Sequence, residues 1–454
     1  MDSMILFLIV ISYISLICIL GVYARRKITS STGFFLADRN VKTFPLTATL
    51  TATTIGGSAT IVAGGRIFAD GLPALWYDLG GIIGLFVLSI TLAKLIRKTR
   101  SYTLPDIINR LYDTKTRHIA AVLIIITEIA WIALLVQAAS FILSVIIPMD
   151  TTLLLIGITV AFILYTLIGG QFAVIYTDII QFIIMLVGIC FIATPIIILQ
   201  AAPHWALLPS THLFFPVNEH IGIVSMGSIL FMMMMPHIVG PDIYSKILSA
   251  KNEKTARNAT LFTALLKLVF AICIALIALA SMAIPSIQQQ ISTPALAIPI
   301  ALTTLPLFLS GLVLAAFLSV MISSADSCLL SAGTIFSVDI VKNNSIRTSQ
   351  LGIGLVGICA LFLAIYHSLL GSILDTLELA YTVFTAGLTL PVIFGFYKEK
   401  TKVTPKGALY SIILGGSISV ALLLISPLKT YAVLIGLIAS FIPLMVFRND
   451  RNNL

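Results

Sequence analysis

The chain is a succession of apolar runs, each near twenty residues long, separated by short polar segments from one end to the other. A helix rises about 1.5 Å per residue, so about 20 apolar residues cover the ~30 Å hydrocarbon layer of a bilayer. Inside lipid no water is present to satisfy backbone N–H and C=O groups, and a helix satisfies them within itself. With 59% hydrophobic and 10% charged residues spread over 454 positions, no large polar block remains for a soluble domain. The chain therefore reads as an all-α membrane protein with its spans in one domain, 1–454, embedded in a lipid bilayer.

Sliding a ~20-residue window along the chain predicts thirteen spans, at about 4–23, 43–66, 75–96, 118–147, 151–169, 171–201, 221–245, 257–284, 303–338, 349–367, 370–397, 407–426 and 431–447. The first follows Met1-Asp2-Ser3, which has no basic residue, and it lacks a small-x-small cleavage pattern, so it is expected to be a retained helix rather than a signal peptide. A net charge of +9 could suggest nucleic acid as a partner, but its distribution argues otherwise. Twenty-four of the 27 lysines and arginines, Lys246 among them, fall on one face of the thirteen-span arrangement. Only Arg66 and Lys429 fall opposite, and Lys267 lies within a span. Basic residues favour the cytoplasmic side, which predicts a multi-pass protein of the cytoplasmic membrane with its N-terminus outside and its C-terminus inside.

Lipid-facing helices have no reason to carry helix breakers at mid-depth, whereas helices lining a cavity can offer unwound backbone to a ligand. The second span contains Thr53-Thr54-Ile55-Gly56-Gly57-Ser58, and the seventh contains Pro236-His237-Ile238-Val239-Gly240-Pro241. These spans are five apart, so they cross in opposite directions, the pattern of two inverted five-helix repeats. The expected organisation is a leading helix and loop over 1–42, repeat one over 43–201, repeat two over 221–397, and two trailing helices over 407–447.

Oxygen-bearing side chains at mid-helix cost free energy in lipid, about 2.5 to 3.5 kcal/mol for a carboxylate on insertion scales, so each needs a reason to be there. In the ninth span Ser323, Asp326 and Ser327 share a helix face, and Ser324 adjoins it. Hydroxyls together with carbonyls freed near Ala52 to Gly57 suit a small hard cation. Asp178 in the sixth span lies in the same half of the membrane as Asp326, and two carboxylates that close need a cation or a proton between them. Glu128 and Gln137, with Trp131, occupy the fourth span and are pocket candidates by depth. His237 and Met232 to Met235 could line the same pocket, although a methionine run more often packs. Asp375 and Glu378 lie near the outer end of the eleventh span, where solvent could reach them. No basic residue is expected at the midplane site, so an anionic solute would rely on backbone dipoles.

The stretch Leu167-Ile168-Gly169-Gly170-Gln171-Phe172-Ala173-Val174, with Thr177, Asp178 and Gln181, resembles the sodium:solute symporter family, as do Met321 to Leu330, Thr103 to Asp106, and Ala250 to Arg257. That family includes bacterial proline, pantothenate, sialic acid and sugar transporters. The resemblance covers nearly the whole chain and implies a leucine-transporter-like core with one helix before it and further helices after it. It also implies a sodium ion held by the backbone carbonyls of Ala52, Ile55 and Val320 and the hydroxyls of Ser323 and Ser324. A second cation or proton site would lie at Asp178, Asp326 and Ser327, where Asp326 replaces a serine of the matching family site. Thr54, Gly56 and Ala59 match positions that face substrate, and Thr54 stands where proline carriers have an acidic residue. The expected function is sodium-coupled symport of a small organic solute into the cell by alternating access, with no enzymatic activity. The alternatives are a proton-coupled carrier of the same fold, or an intramembrane aspartyl protease using Asp178 and Asp326.

Overall fold

The computed structural model describes residues 2–25, 30–147 and 149–449. Arg26, Lys27 and Arg451, three of the residues that orient the chain by charge, lie outside the described residues. Among the described residues every regular element is helical. Ten helices are long and apolar enough to cross a membrane, or eleven when one bent pair counts as a single span. At the two other expected places stand Asp2–Arg25, whose described apolar part is Leu8–Tyr23, and the shorter helix Thr151–Leu167.

In chain order the long helices are α1 (Asp2–Arg25), α2a (Thr43–Thr54), α2b (Ser58–Asp70), α3 (Leu72–Thr91), α4 (Thr114–Ser144), α5 (Thr151–Leu167) and α6 (Gly169–Leu207). They continue with α7a (Ile223–Val239), α7b (Pro241–Ser249), α8 (Glu253–Ala283), α9 (Leu307–Ile340), α10 (Ile346–Ser368), α11 (Ile373–Phe396), α12 (Pro405–Leu423) and α13 (Leu428–Val446). The most buried of the long spans is α9, which packs against α1, α2a, α4, α6 and α10. Along it run Ala315, Ala316, Ser319, Ser323 and Ala325, all buried, and small side chains of this kind let neighbouring backbones approach. The trailing pair α12 and α13 pack on each other and against α11.

The expected break in the second span is a real bend, with α2a and α2b meeting at 58°. Its glycines are there for close approach. A Cβ on Gly56 would lie 3.0 Å from Ser324 Oγ, and one on Gly57 would lie 2.8 Å from Ala138 Cβ. The interruption in the seventh span is milder, because only Gly240 (φ −60°, ψ 132°) leaves the helix and α7a and α7b still run on as one span. Pro241 restarts the helix at the position where its missing N–H costs nothing. A third turn separates α5 from α6 at Gly170 (φ 52°), where a Cβ would meet the Phe34 ring at 2.6 Å.

Candidate functional site

The hydroxyl face of α9 meets the unwound end of α2a. Ser324 Oγ donates a hydrogen bond to the Thr53 carbonyl at 2.8 Å, and Ser327 Oγ lies 3.0 Å from Thr53 Oγ1. Ser327 Oγ also donates to its own helix at Ser323 O, 2.8 Å away. Ser323 Oγ donates to Asp178 Oδ1 at 2.6 Å. Ala52, Ile55, Val320, Ser323 and Ser324 are all buried along this seam. A serine that gives its proton to a carboxylate or a carbonyl keeps its lone pairs free for a cation, so Ser323 and Ser324 are oriented as acceptors.

Asp178 is not open to a shared cation with Asp326. Its Oδ2 lies 2.9 Å from Lys246 Nζ and also accepts from Thr49 Oγ1, which in turn accepts from Lys246 at 2.7 Å. The lysine and the aspartate are both fully buried. This corrects two expectations: Lys246, counted among the basic residues on one membrane face, is buried within the seventh span, and a basic residue does stand beside the predicted site. Lys246 is one turn from the end of α7b, close enough to its C-terminus to be mistaken for a loop residue when spans are cut by hydropathy. Asp326 Oδ1 accepts from Ser327 at 3.3 Å, while its Oδ2 has no hydrogen-bond partner among the described residues.

A second buried lysine sits by the bend. Lys267 Nζ on α8 donates to the Thr54 carbonyl at 2.5 Å and lies 3.6 Å from Asp78 Oδ1. Between α2, α4, α7 and α9 lies a cavity of about 50 Å³. Of the predicted substrate residues, Thr54, Gly56 and His237 line it. The Thr54 hydroxyl is turned back onto Leu50 O at 2.8 Å, so that residue offers backbone and methyl rather than hydroxyl. Ala59 is buried outside the cavity wall, and Met232 to Met235 do not line it either. Gln137 is displaced from the expected pocket: its Oε1 accepts from Thr376 at 2.7 Å and it borders a separate cavity of about 460 Å³. A further cavity of about 230 Å³ lies near Arg66 and Lys429, and Lys429 Nζ bridges Asp375 and Glu378 at 2.5 and 2.8 Å.

Sequence reasoning missed Thr49, Thr53, Lys246, Lys267, Asp242 and Tyr381. Asp242 opens α7b and lines the central cavity, as do Trp131 and Tyr381, whose rings meet edge to face at 5.4 Å. A carboxylate directly after Gly240-Pro241 in a broken span was the available signal.

A helix bent open at mid-depth, a hydroxyl face closing on it and a cavity beside it define a secondary transporter with the leucine-transporter-like fold. The chain belongs to the sodium:solute symporter family, whose profile matches residues 34–415. It is a transporter rather than an enzyme, and sodium is the coupling ion of this family. The mouse sodium/myo-inositol cotransporter 2 is 24% identical over 460 residues, covering 90% of this chain and 68% of that protein. The Drosophila melanogaster high-affinity choline transporter 1 is 26% identical over 364 residues, covering 74% and 56%. The chain thus spans 53% to 68% of the length of the curated relatives it matches. Among solved structures, a Na+-coupled sialic acid symporter in a substrate-bound outward-open state superimposes with a TM-score of 0.81 at 17% identity, over 97% of both chains. A nucleobase-cation-symport-1 family transporter in a closed conformation gives 0.61 at 14% identity, over 91% and 93%. These likenesses establish the fold.

Proposed function

We propose that the chain moves a small organic solute into the cell together with one sodium ion, by alternating access of the central cavity to the two sides of the cytoplasmic membrane. The ion sits among the carbonyls of Ala52, Ile55 and Val320 and the hydroxyls of Ser323 and Ser324. The observation that carries this reading is the 2.8 Å bond from Ser324 Oγ to Thr53 O, which fastens the α9 hydroxyl face to the bend of α2. A cation in that seam bridges both elements, so binding favours the arrangement in which they touch. Asp178 belongs to this arrangement through Ser323, and Lys246 supplies the positive charge that a second ion would otherwise bring. One coupling ion follows, with Asp326 and Ser327 buttressing the bend through Thr53.

The two repeats run over 43–201 and 221–397, with α2 and α7 as their broken first helices. The N-terminus lies outside and the C-terminus inside, which puts the two larger cavities, near Gln137 and near Arg66, on the outer side. A cavity on the opposite side, by Thr103 and Pro241, is about 10 Å³, which fits an outward-facing carrier. The test is thermal unfolding of the purified protein in sodium, lithium or potassium at fixed ionic strength. Stabilisation by sodium that Ser324→Ala abolishes supports the cage. Stabilisation that follows pH and ignores the alkali cation would transfer the reading to a proton-coupled carrier of the same fold.

A further inference from the structure

Asp242 lines the central cavity, whereas the buried carboxyls of Asp178, Asp78 and the predicted substrate residue Glu128 lie behind its wall, and these four differ in their partners. Asp178 and Asp78 each face a buried lysine, at 2.9 and 3.6 Å. Asp242 and Glu128 face none: among the described residues no Lys, Arg or His nitrogen lies within 4.0 Å of either carboxylate. Glu128 is completely buried with no basic partner, and its polar side-chain neighbours are Cys328 and Ser331. It lies on the α4 face that carries Trp131 and Leu135, both of which line the cavity. Its carboxylate sits beside Cys328, another wall residue, with Asp242 as the neighbouring charge. Asp242 itself opens into the cavity at the start of α7b.

Helix capping accounts for Asp242 alone, since a carboxylate in the first turn is stabilised by the helix dipole. Capping says nothing of Glu128, which a bare apolar packing role would replace with leucine or glutamine. Two neighbouring carboxyls in a membrane interior are relieved by a proton or by a cation, and a cationic solute entering beside Asp242 would supply the second. The lysines already present are committed to Asp178, Asp78 and the Thr54 carbonyl. Trp131, one turn from Glu128 on α4, and Tyr381 make the same cavity wall aromatic, and aromatic rings attract an alkylated or primary ammonium.

We propose that the solute is a small organic cation, bound with its ammonium group between Asp242 and the aromatic pair and with Glu128 as the balancing charge behind. This deepens the reading of the cavity as the solute site and rests on it. An inositol or other neutral polyol would leave the two carboxyls to be neutralised by protons alone, and an acidic solute would add to their charge.

The experiment is thermal unfolding and equilibrium binding on the purified full chain in sodium, with choline and putrescine as cationic probes. The neutral controls are myo-inositol and 3,3-dimethylbutan-1-ol, which has the shape of choline without its charge. The expected result is saturable stabilisation by at least one cationic probe, at least about tenfold tighter than either neutral control. Asp242→Asn and Glu128→Gln are each expected to weaken that binding roughly tenfold or more while leaving the sodium-only stabilisation in place. The comparison of choline with its neutral isostere needs no variant, so a variant that fails to fold does not decide the matter. Equal binding of the neutral controls, or no response to either cation, overturns the charge assignment while sodium stabilisation keeps the symporter reading intact. A cationic probe that binds equally in sodium and potassium upholds the assignment and removes the sodium coupling instead.

Discussion

Lys246 Nζ lies 2.9 Å from Asp178 Oδ2 with neither side chain exposed, and the other oxygen of that aspartate receives the hydroxyl of Ser323 at 2.6 Å. A fixed cation therefore sits one hydrogen bond away from the proposed ion cage. Removing one member of a buried pair leaves an uncompensated charge, which costs about 3 to 5 kcal/mol, whereas replacing both with neutral groups is often close to neutral. Lys246→Met is expected to lower unfolding stability by that amount, and Asp178→Asn added to it is expected to restore most of the loss. A double-mutant cycle on the purified protein measures the coupling. Additive effects would mean the two side chains do not act as a pair.

The same relationship bears on stoichiometry. A lysine held against Asp178 repels a second sodium ion at that carboxylate, so sodium activation of transport is expected to have a Hill coefficient near 1. In Lys246→Met a second ion gains access to Asp178, and the coefficient should rise. A wild-type value close to 2 would show that Lys246 leaves Asp178 when sodium arrives.

Ser324→Ala removes one hydroxyl from the ion seam and also the bond to Thr53 O. Losing a hydrogen bond to an ionic or buried partner is worth ~1 to 3 kcal/mol, so the sodium concentration for half-maximal stabilisation should rise roughly tenfold or more. Ser324→Thr keeps the hydroxyl and separates ligand loss from a packing effect. Titrating the unfolding temperature with sodium in both variants reads the difference directly.

Much of this arrangement was legible because membrane burial makes each polar residue conspicuous. The apolar runs located every long helix, and Gly56-Gly57 beside the hydroxyl cluster Ser323, Ser324 and Ser327 pointed to the seam that α2 and α9 form. Lys246 was illegible for a physical reason: after Asp242 a second charge at 246 exhausts the apolar excess of a hydropathy window, and only tertiary contact shows that α7b continues buried past it to Ser249. Gln137 was misplaced because depth along a helix says nothing about azimuth, and its amide turns toward Thr376 on α11 rather than inward. Asp242 was passed over because attention went to the proline and glycine of the break and not to the residue that follows them.

The bend in α2 depends on the absence of a side chain at 57. A Cβ there would sit 2.8 Å from Ala138 Cβ, so Gly57→Ala forces α2 and α4 apart at the level of the cavity. Overpacking of a tight contact costs about 1 to 3 kcal/mol, and transport should suffer more than stability because the cavity wall itself is displaced. Ala138→Gly in the same chain opens the space again, and recovery of sodium-dependent stabilisation in the double variant is the expected outcome. Failure of that rescue, with Ala138→Gly alone tolerated, would place the requirement for glycine in the other close neighbours of that position, Met321 Sδ at 3.4 Å and Leu135 Cδ2 at 3.6 Å.

Orientation can be settled by chemistry on two exposed positions. Ser210 lies in the segment between α6 and α7, and Lys254 opens α8 just past the end of α7b. The charge distribution puts the first outside and the second inside, since the seventh span must carry the chain across between them. In a background without the five native cysteines, Ser210→Cys is expected to react with a membrane-impermeant maleimide on intact cells, and Lys254→Cys only after permeabilisation. The reverse pattern would invert the topology. It would also put the cavities near Gln137 and Arg66 on the cytoplasmic side, making the arrangement inward-facing.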